Sequence, residues 1–218
     1  MNKTGTILAF IVLGFIMFGG CGKSMAAAGR VPTALTNIGE HAEDIYDAIK
    51  AKDWAKSGQE FKMFAGDLKK VDAGVKGQVE KKKSLKSSVD SLGAAIKAKN
   101  RYTALEAANR ITGIVLDMSD PYHPAVPVSV GRLDYYGREL EIQSAAKNLP
   151  KLKTTSDAAE KTWGSLRPDV MAHGGKSEAA KFDKLMEQLH KASTPAQYGK
   201  LATTILDEVD NLEKVFQK

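Results

Sequence analysis

The sequence predicts an all-α fold, an antiparallel helical bundle of about eight helices beginning at residue 32. Three observations carry this expectation. From Pro32 onward apolar residues recur three and four apart, the spacing of one face of a helix. Alternating runs of strand type are scarce. Glycines and prolines fall between the periodic stretches, so the connections are short and consecutive helices run antiparallel.

Each element has its own signature. Leu35, Ile38, Ala42, Ile45 and Ile49 form the first stripe. Asp53 is placed to cap a second helix carrying Trp54, Phe61, Phe64, Leu68 and Val71, which Gly74 and Gly77 end. Leu85, Val89, Leu92 and Ile96 mark a third, and Tyr102, Leu105, Ala108, Ile111, Val115 and Met118 a fourth. The segment 119–127, with three prolines, then stops any helix. Val130, Leu133, Tyr136, Leu140 and Ser144 trace a fifth helix. Ala159, Trp163, Leu166 and Val170 trace a sixth, which Pro168 is expected to bend or restart and Gly174-Gly175 to end. Ala179, Phe182, Leu185 and Leu189 give the seventh. Pro195 opens the eighth, with Tyr198, Leu201, Ile205, Val209, Leu212 and Phe216.

Residues 34–118 and 128–216 thus each hold four helices. Tyr102 and Leu105 with Leu116 match Tyr198 and Leu201 with Leu212 in spacing, and Trp54 and Trp163 stand early in their halves. Duplication and the ordinary likeness of helical stripes both account for this.

The first 20 residues differ in kind. Lys3 precedes an apolar run from Ile7 to Phe18, too short for a bilayer core that needs about 20 apolar residues. That pattern is expected of an export signal. Phe18-Gly19-Gly20-Cys21 resembles the lipobox of bacterial lipoproteins, with Phe18 where the family usually has Leu. The resemblance implies cleavage before Cys21 and lipidation of its sulfur. By the family's sorting rule Gly22 implies the outer membrane, facing the periplasm. Residues 21–31 then form the lipidated end and a short tether, reaching at most about 30 Å, and 32–218 form the helical domain.

Cys21 is the single cysteine. An exported domain without another cannot be held by disulfides, and cysteine-based zinc sites and C-x-x-C-H heme attachment are excluded. The formal net charge is +6, of which residues 1–20 contribute only Lys3. The run Glu80 to Lys83 with Lys86 reads as a solvated helix face rather than a headgroup or cell-wall contact, and no nucleic-acid partner is expected.

The nucleophile-elbow, phosphate-loop, dinucleotide and H-E-x-x-H motifs are missing, so nothing points to an enzyme. Of four histidines, His190 lies in E-x-x-H with Glu187, half of a di-iron set whose second pair is absent. His173 reads as a helix-end cation. Gly39-Glu40-His41-Ala42-Glu43-Asp44 resembles the G-x-H-x-x-E motif of imelysin-like envelope proteins, helical bundles linked to iron uptake. Gly39 and His41 match, while Asp44 stands where the family has Glu. The resemblance implies that His41 and Asp44 share a metal, whereas a surface His–Asp pair explains the same spacing. Around the proline segment, Asp117, Asp120 and His123 lead into Asp134 and Tyr135, a gathering of ligands suited to a divalent metal or small polar molecule. The favoured account is structural: Asp120 before Pro121 forms a turn, and Tyr122 and Tyr135 pack the loop onto the bundle.

The expectation is therefore a lipid-anchored envelope protein with a non-catalytic binding domain and no required cofactor. Its partner would be a protein, a cell-wall polymer or a small ligand. The alternative is a periplasmic, iron-type metal-binding bundle, with His41, Asp44 and His123 converging on one cavity.

Overall fold

The computed structural model describes residues 29–217; the signal segment 1–20, Cys21 and most of the tether lie outside the described residues. Among the described residues there are eight α-helices and no strand, so the all-α expectation holds. In order they are α1 (Thr33–Lys50), α2 (Trp54–Gly74), α3 (Val79–Lys97), α4 (Arg101–Ser119), α5 (Val128–Ala145), α6 (Leu149–Ala172), α7 (Lys176–Lys191) and α8 (Pro195–Phe216). A single 3₁₀ turn, Asp120–Tyr122, sits between α4 and α5. No described helix is long and apolar enough to cross a membrane.

The apolar stripes close into two cores. Leu35, Ile38, Ile45, Phe64, Leu92 and Ile111 belong to a cluster built by α1–α4, which also takes Ile142 from α5. Leu133, Leu152, Phe182, Leu189, Ile205 and Leu212 belong to a second, built by α5–α8. The two quartets pack alike. α1 lies against α2 and α4, and α3 against α4; correspondingly α5 lies against α6 and α8, and α7 against α8. The junction is α4 on α5, supplemented by polar contacts from α1 to α5.

Three of the turns share one chemistry. Ala51-Lys52-Asp53, Ala98-Lys99-Asn100 and Ala146-Lys147-Asn148 each place the lysine in the left-handed region (φ 61°, 51° and 55°). The Asp or Asn side chain then accepts from the backbone N–H three residues on, at Lys56, Thr103 and Lys151. The left-handed residue reverses the chain and the capping oxygen satisfies one of the next helix's orphan donors. A β-carbon is disfavoured in that conformation by about 1 kcal/mol. Lys99→Gly is therefore expected to stabilise the protein by about 0.5–1 kcal/mol, read as a higher urea midpoint with unchanged slope. An unchanged or lower midpoint would show that the lysine is not strained.

Four details correct the sequence reading. α6 runs unbroken through Pro168, an exposed residue, instead of restarting there. Trp54 opens α2 while Trp163 lies in the middle of α6, so the tryptophans are not equivalent. Tyr102, placed above in a core stripe, is 38% exposed, whereas Tyr198 is 2% exposed. Counted from their N-caps, Asn100 and Thr194, these tyrosines fall two residues apart on α4 and α8. In the basic run, Lys81 and Lys82 reach across to the carbonyls of Asp117 and Asp72 (2.5 and 2.9 Å), while Lys83 and Lys86 are exposed.

The proline segment is pinned from below. Tyr122 packs on the first core and its carbonyl accepts from Gly29 N–H at 2.7 Å. A β-carbon on Gly29 would come within 2.5 Å of that oxygen, so this close approach requires glycine.

Candidate functional site

His41 follows from the phase of α1. Its neighbour Ala42 is in the buried stripe, so the imidazole emerges at the edge of that stripe, facing α2, with its side chain 20% exposed. On α2, Glu60 and Asp67 stand two turns apart on one face. The ring spans them: Nδ1 lies 3.1 Å from Glu60 Oε2 and Nε2 lies 3.5 Å from Asp67 Oδ2. Asp44, one turn on from His41, completes a group of three residues whose ligand atoms lie within 4.8 Å of one another. Among the described residues no other such group of His, Cys, Asp or Glu occurs.

Asp67 is held in turn. Lys70 Nζ lies 2.6 Å from Oδ1 and Asn37 Nδ2 donates to Oδ2 at 3.1 Å. The bond from Lys70 keeps this nearly buried carboxyl below its ordinary range, against the cost of burial. The hydrogen bond of the His41 ring joins Nδ1 and Glu60 Oε2, while Asp67 stands at ion-pair distance from Nε2. A metal at Nδ1 would leave Asp67 as the carboxylate facing Nε2, the place of the carboxylate support common behind metal-bound imidazoles.

The other expected ligands do not come together. Asp117 pairs with Arg132 at 2.5 Å. Asp120 is exposed, and its backbone oxygen accepts from the N–H of His123, itself exposed in the left-handed region. His123 therefore belongs to the turn between α4 and α5 and not to the His41 group, so the expected convergence of His41, Asp44 and His123 fails. Asp134 points elsewhere, to Arg138. His190 is exposed beside Glu160, 3.2 Å away, while Glu187 pairs with Lys191. His173 caps α6, its Nδ1 lying 2.8 Å from Asp169 O.

Asp134 and Arg138 form the most heavily charged part of the interior. The Arg138 side chain is about nine-tenths buried between α1 and α5. Nη2 lies 3.1 Å from Asp134 and 3.4 Å from Glu43, its guanidinium carbon lies 5.3 Å from the centre of the Tyr46 ring, and its buried Nη1 has no partner. Tyr46 donates to Glu141 at 3.0 Å, and Glu141 also binds Lys50. Asp210 and Glu213 of α8 add two more acids around the same guanidinium. Burial is the chief reason that the Asp134 and Glu213 carboxyls are both pushed up to about 7, with Arg138 pulling the other way. This cluster joins the two quartets; it is a structural joint with a titration of its own.

No protein-family model, curated protein or solved structure matches the chain.

Proposed function

We propose that this protein is a lipid-anchored component of a bacterial envelope whose helical domain binds a divalent transition metal on the α1–α2 face. The single observation that carries the metal reading is the grouping of His41, Asp44 and Glu60, whose ligand atoms lie within 4.8 Å of one another, with Asp67 3.5 Å from Nε2. One imidazole and two carboxylates are a borderline donor set, suited to zinc, copper or iron more than to calcium or magnesium. Ligand atoms about 2.1 Å from a tetrahedral centre stand roughly 3.4 Å apart, so Asp44 and Glu60 need only small rotamer adjustments to close on a metal. Waters or substrate would fill the remaining positions. The resemblance of Gly39-x-His41 to imelysin-like proteins supports the same reading, with Asp44 standing where the motif has Glu and Glu60 adding a second carboxylate from α2. The anchor reading rests on the segment ending at Cys21.

The test is calorimetric titration of the full chain in detergent with Zn²⁺, Cu²⁺ and anaerobic Fe²⁺. One ion per chain is expected to bind, and at 100-fold excess over Kd to stabilise the fold by about 2.7 kcal/mol. His41→Ala should abolish binding, and Asp67→Asn, which leaves the ligands in place, should weaken it by about 10–100-fold. Affinity should fall with pH as the ligands protonate. Binding that survives His41→Ala, or none with any of the three ions, overturns the metal reading. Separately, Cys21→Ser should release the chain from membranes without altering metal stoichiometry.

A further inference from the structure

A second polar constellation, sharing no residue with the His41 group or the Arg138 joint, lies where α4, α5 and α6 meet. Its centre is Glu139. Oε1 accepts from Gln143 Nε2 at 2.8 Å and Oε2 from Asn109 Nδ2 at 3.2 Å, and both amides belong to residues with no exposed surface. Gln143 is itself fixed by accepting from the Tyr102 hydroxyl (3.2 Å) and donating to Glu106 (3.2 Å). The arrangement leaves Asn109 Oδ1 buried without a partner, at a cost of about 1–3 kcal/mol. Two buried amides thus hold one carboxylate in a single orientation. Lys151, nearby, pairs instead with Glu106 at 3.3 Å, and among the described residues no cation pairs with Glu139.

This carboxylate lines an open groove of about 420 Å³, whose walls include Tyr135, Tyr136, Lys151, Thr154 and Thr155. The two tyrosine rings are 5.4 Å apart and inclined at 66°, forming an aromatic corner. Gly113 makes room for it: a β-carbon there would lie 3.0 Å from the Tyr135 ring. The volume is within the range of small-molecule sites.

The chemistry of the walls narrows the occupant. A purely apolar ligand would strip water from Glu139 and give it nothing in return. A cationic ligand would meet the Lys151 ammonium, which lines the same groove. An anionic one would meet Glu139. What remains is a neutral ligand with apolar ring faces for the tyrosines and hydroxyl donors for a fixed carboxylate. We infer that this groove binds saccharide, with Glu139 accepting from sugar hydroxyls and Tyr135 and Tyr136 covering the apolar face of a pyranose ring. The inference is independent of the metal reading, since it shares no residue with it.

The test is isothermal titration of the metal-free full chain in a non-glycosidic detergent with three neutral probes: triacetylchitotriose, cellotriose and maltotriose. At least one is expected to bind with a Kd of about 1 mM or tighter. Glu139→Gln should weaken that binding about tenfold or more, the loss expected for hydrogen bonds to a charged group. Tyr136→Leu, which keeps apolar bulk but removes the ring, should do the same. His41→Ala should leave it unchanged, which separates failure here from failure of the metal site. Flat titrations with all three probes, or binding untouched by both groove substitutions in folded protein, would overturn the proposal.

Discussion

Arg138→Ala is expected to destabilise the protein by about 3–5 kcal/mol at pH 8, because it leaves buried acids without their cation. Asp134 and Glu43 lose a direct partner and Glu213 and Asp210 lose a compensating charge, while Tyr46 loses the guanidinium stacked on its ring. The pH dependence separates charge from packing. In the folded protein Asp134 and Glu213 titrate at about 7, well above their ordinary values of 3.8 and 4.5. The folded state therefore holds more protons than the unfolded chain between about pH 4 and 7. Their contribution to stability is fullest at the acid end of that window and is lost as the pH rises through 7. From these two groups the native protein should gain stability between pH 8 and pH 5, by up to about 5 kcal/mol were they to titrate independently. Asp67, Glu106 and Asp183, held below their ordinary values, oppose this only at lower pH.

Removing Arg138 should steepen that dependence, since the acids can then relieve their repulsion only by taking protons. The substitution should cost clearly less at pH 5 than at pH 8, measured by urea unfolding at both. Arg138→Met, which keeps much of the stem's bulk, should recover part of the loss at pH 5. An equal loss at both pH values would mean that the guanidinium acts through packing alone.

How far the sequence could be read depended on whether a feature was local. The stripes of α1 and α8 were plain because five or six apolar residues in strict helical phase leave no alternative. The Ala-Lys-Asp/Asn turns were equally local, yet Ala98-Lys99-Asn100 and Ala146-Lys147-Asn148 leave no mark in the periodicity, since a lysine gives no hint of a left-handed backbone. Tyr102 has the spacing of a core residue, but its hydroxyl binds Glu106 and Gln143 at the surface. Spacing alone cannot see that. Of the group around His41, His41 and Asp44 were legible because one helix carries both. Glu60 and Asp67 were not, because only the packing of α2 on α1 brings them to the imidazole. Asp134 failed differently: its nearness in sequence to Asp117, Asp120 and His123 suggested a shared loop site. One turn of helix instead pairs it with Arg138, a contact that i,i+4 spacing allows but whose burial depends on α1 and α8.

Phe182→Ala is the other large effect expected, a loss of about 3–5 kcal/mol from the core of α5–α8. Phe182 is fully buried and its ring centre lies 4.6 Å from that of Trp163, whose Nε1 donates to Asp183 at 2.9 Å. Asp183 also takes both ends of the Arg167 guanidinium, so the indole is held by polar bonds on one side and by Phe182 on the other. Truncation leaves a void that neither Trp163 nor the helices can fill without breaking those bonds. The consequence should reach the first quartet. Trp54 packs against the α1–α4 core and Trp163 lies in the second, so each tryptophan reports one half. Ile142 of α5 is part of the first core, and Tyr46, Lys50 and Glu43 of α1 bind Glu141 and Arg138 of α5. With that much shared structure, the two halves should unfold together. In Phe182→Ala, circular dichroism and the fluorescence of both tryptophans should shift to the same lower urea midpoint. If the Trp54 signal kept its original midpoint while that of Trp163 fell, the quartets would be independent folding units and the Arg138 joint energetically slight.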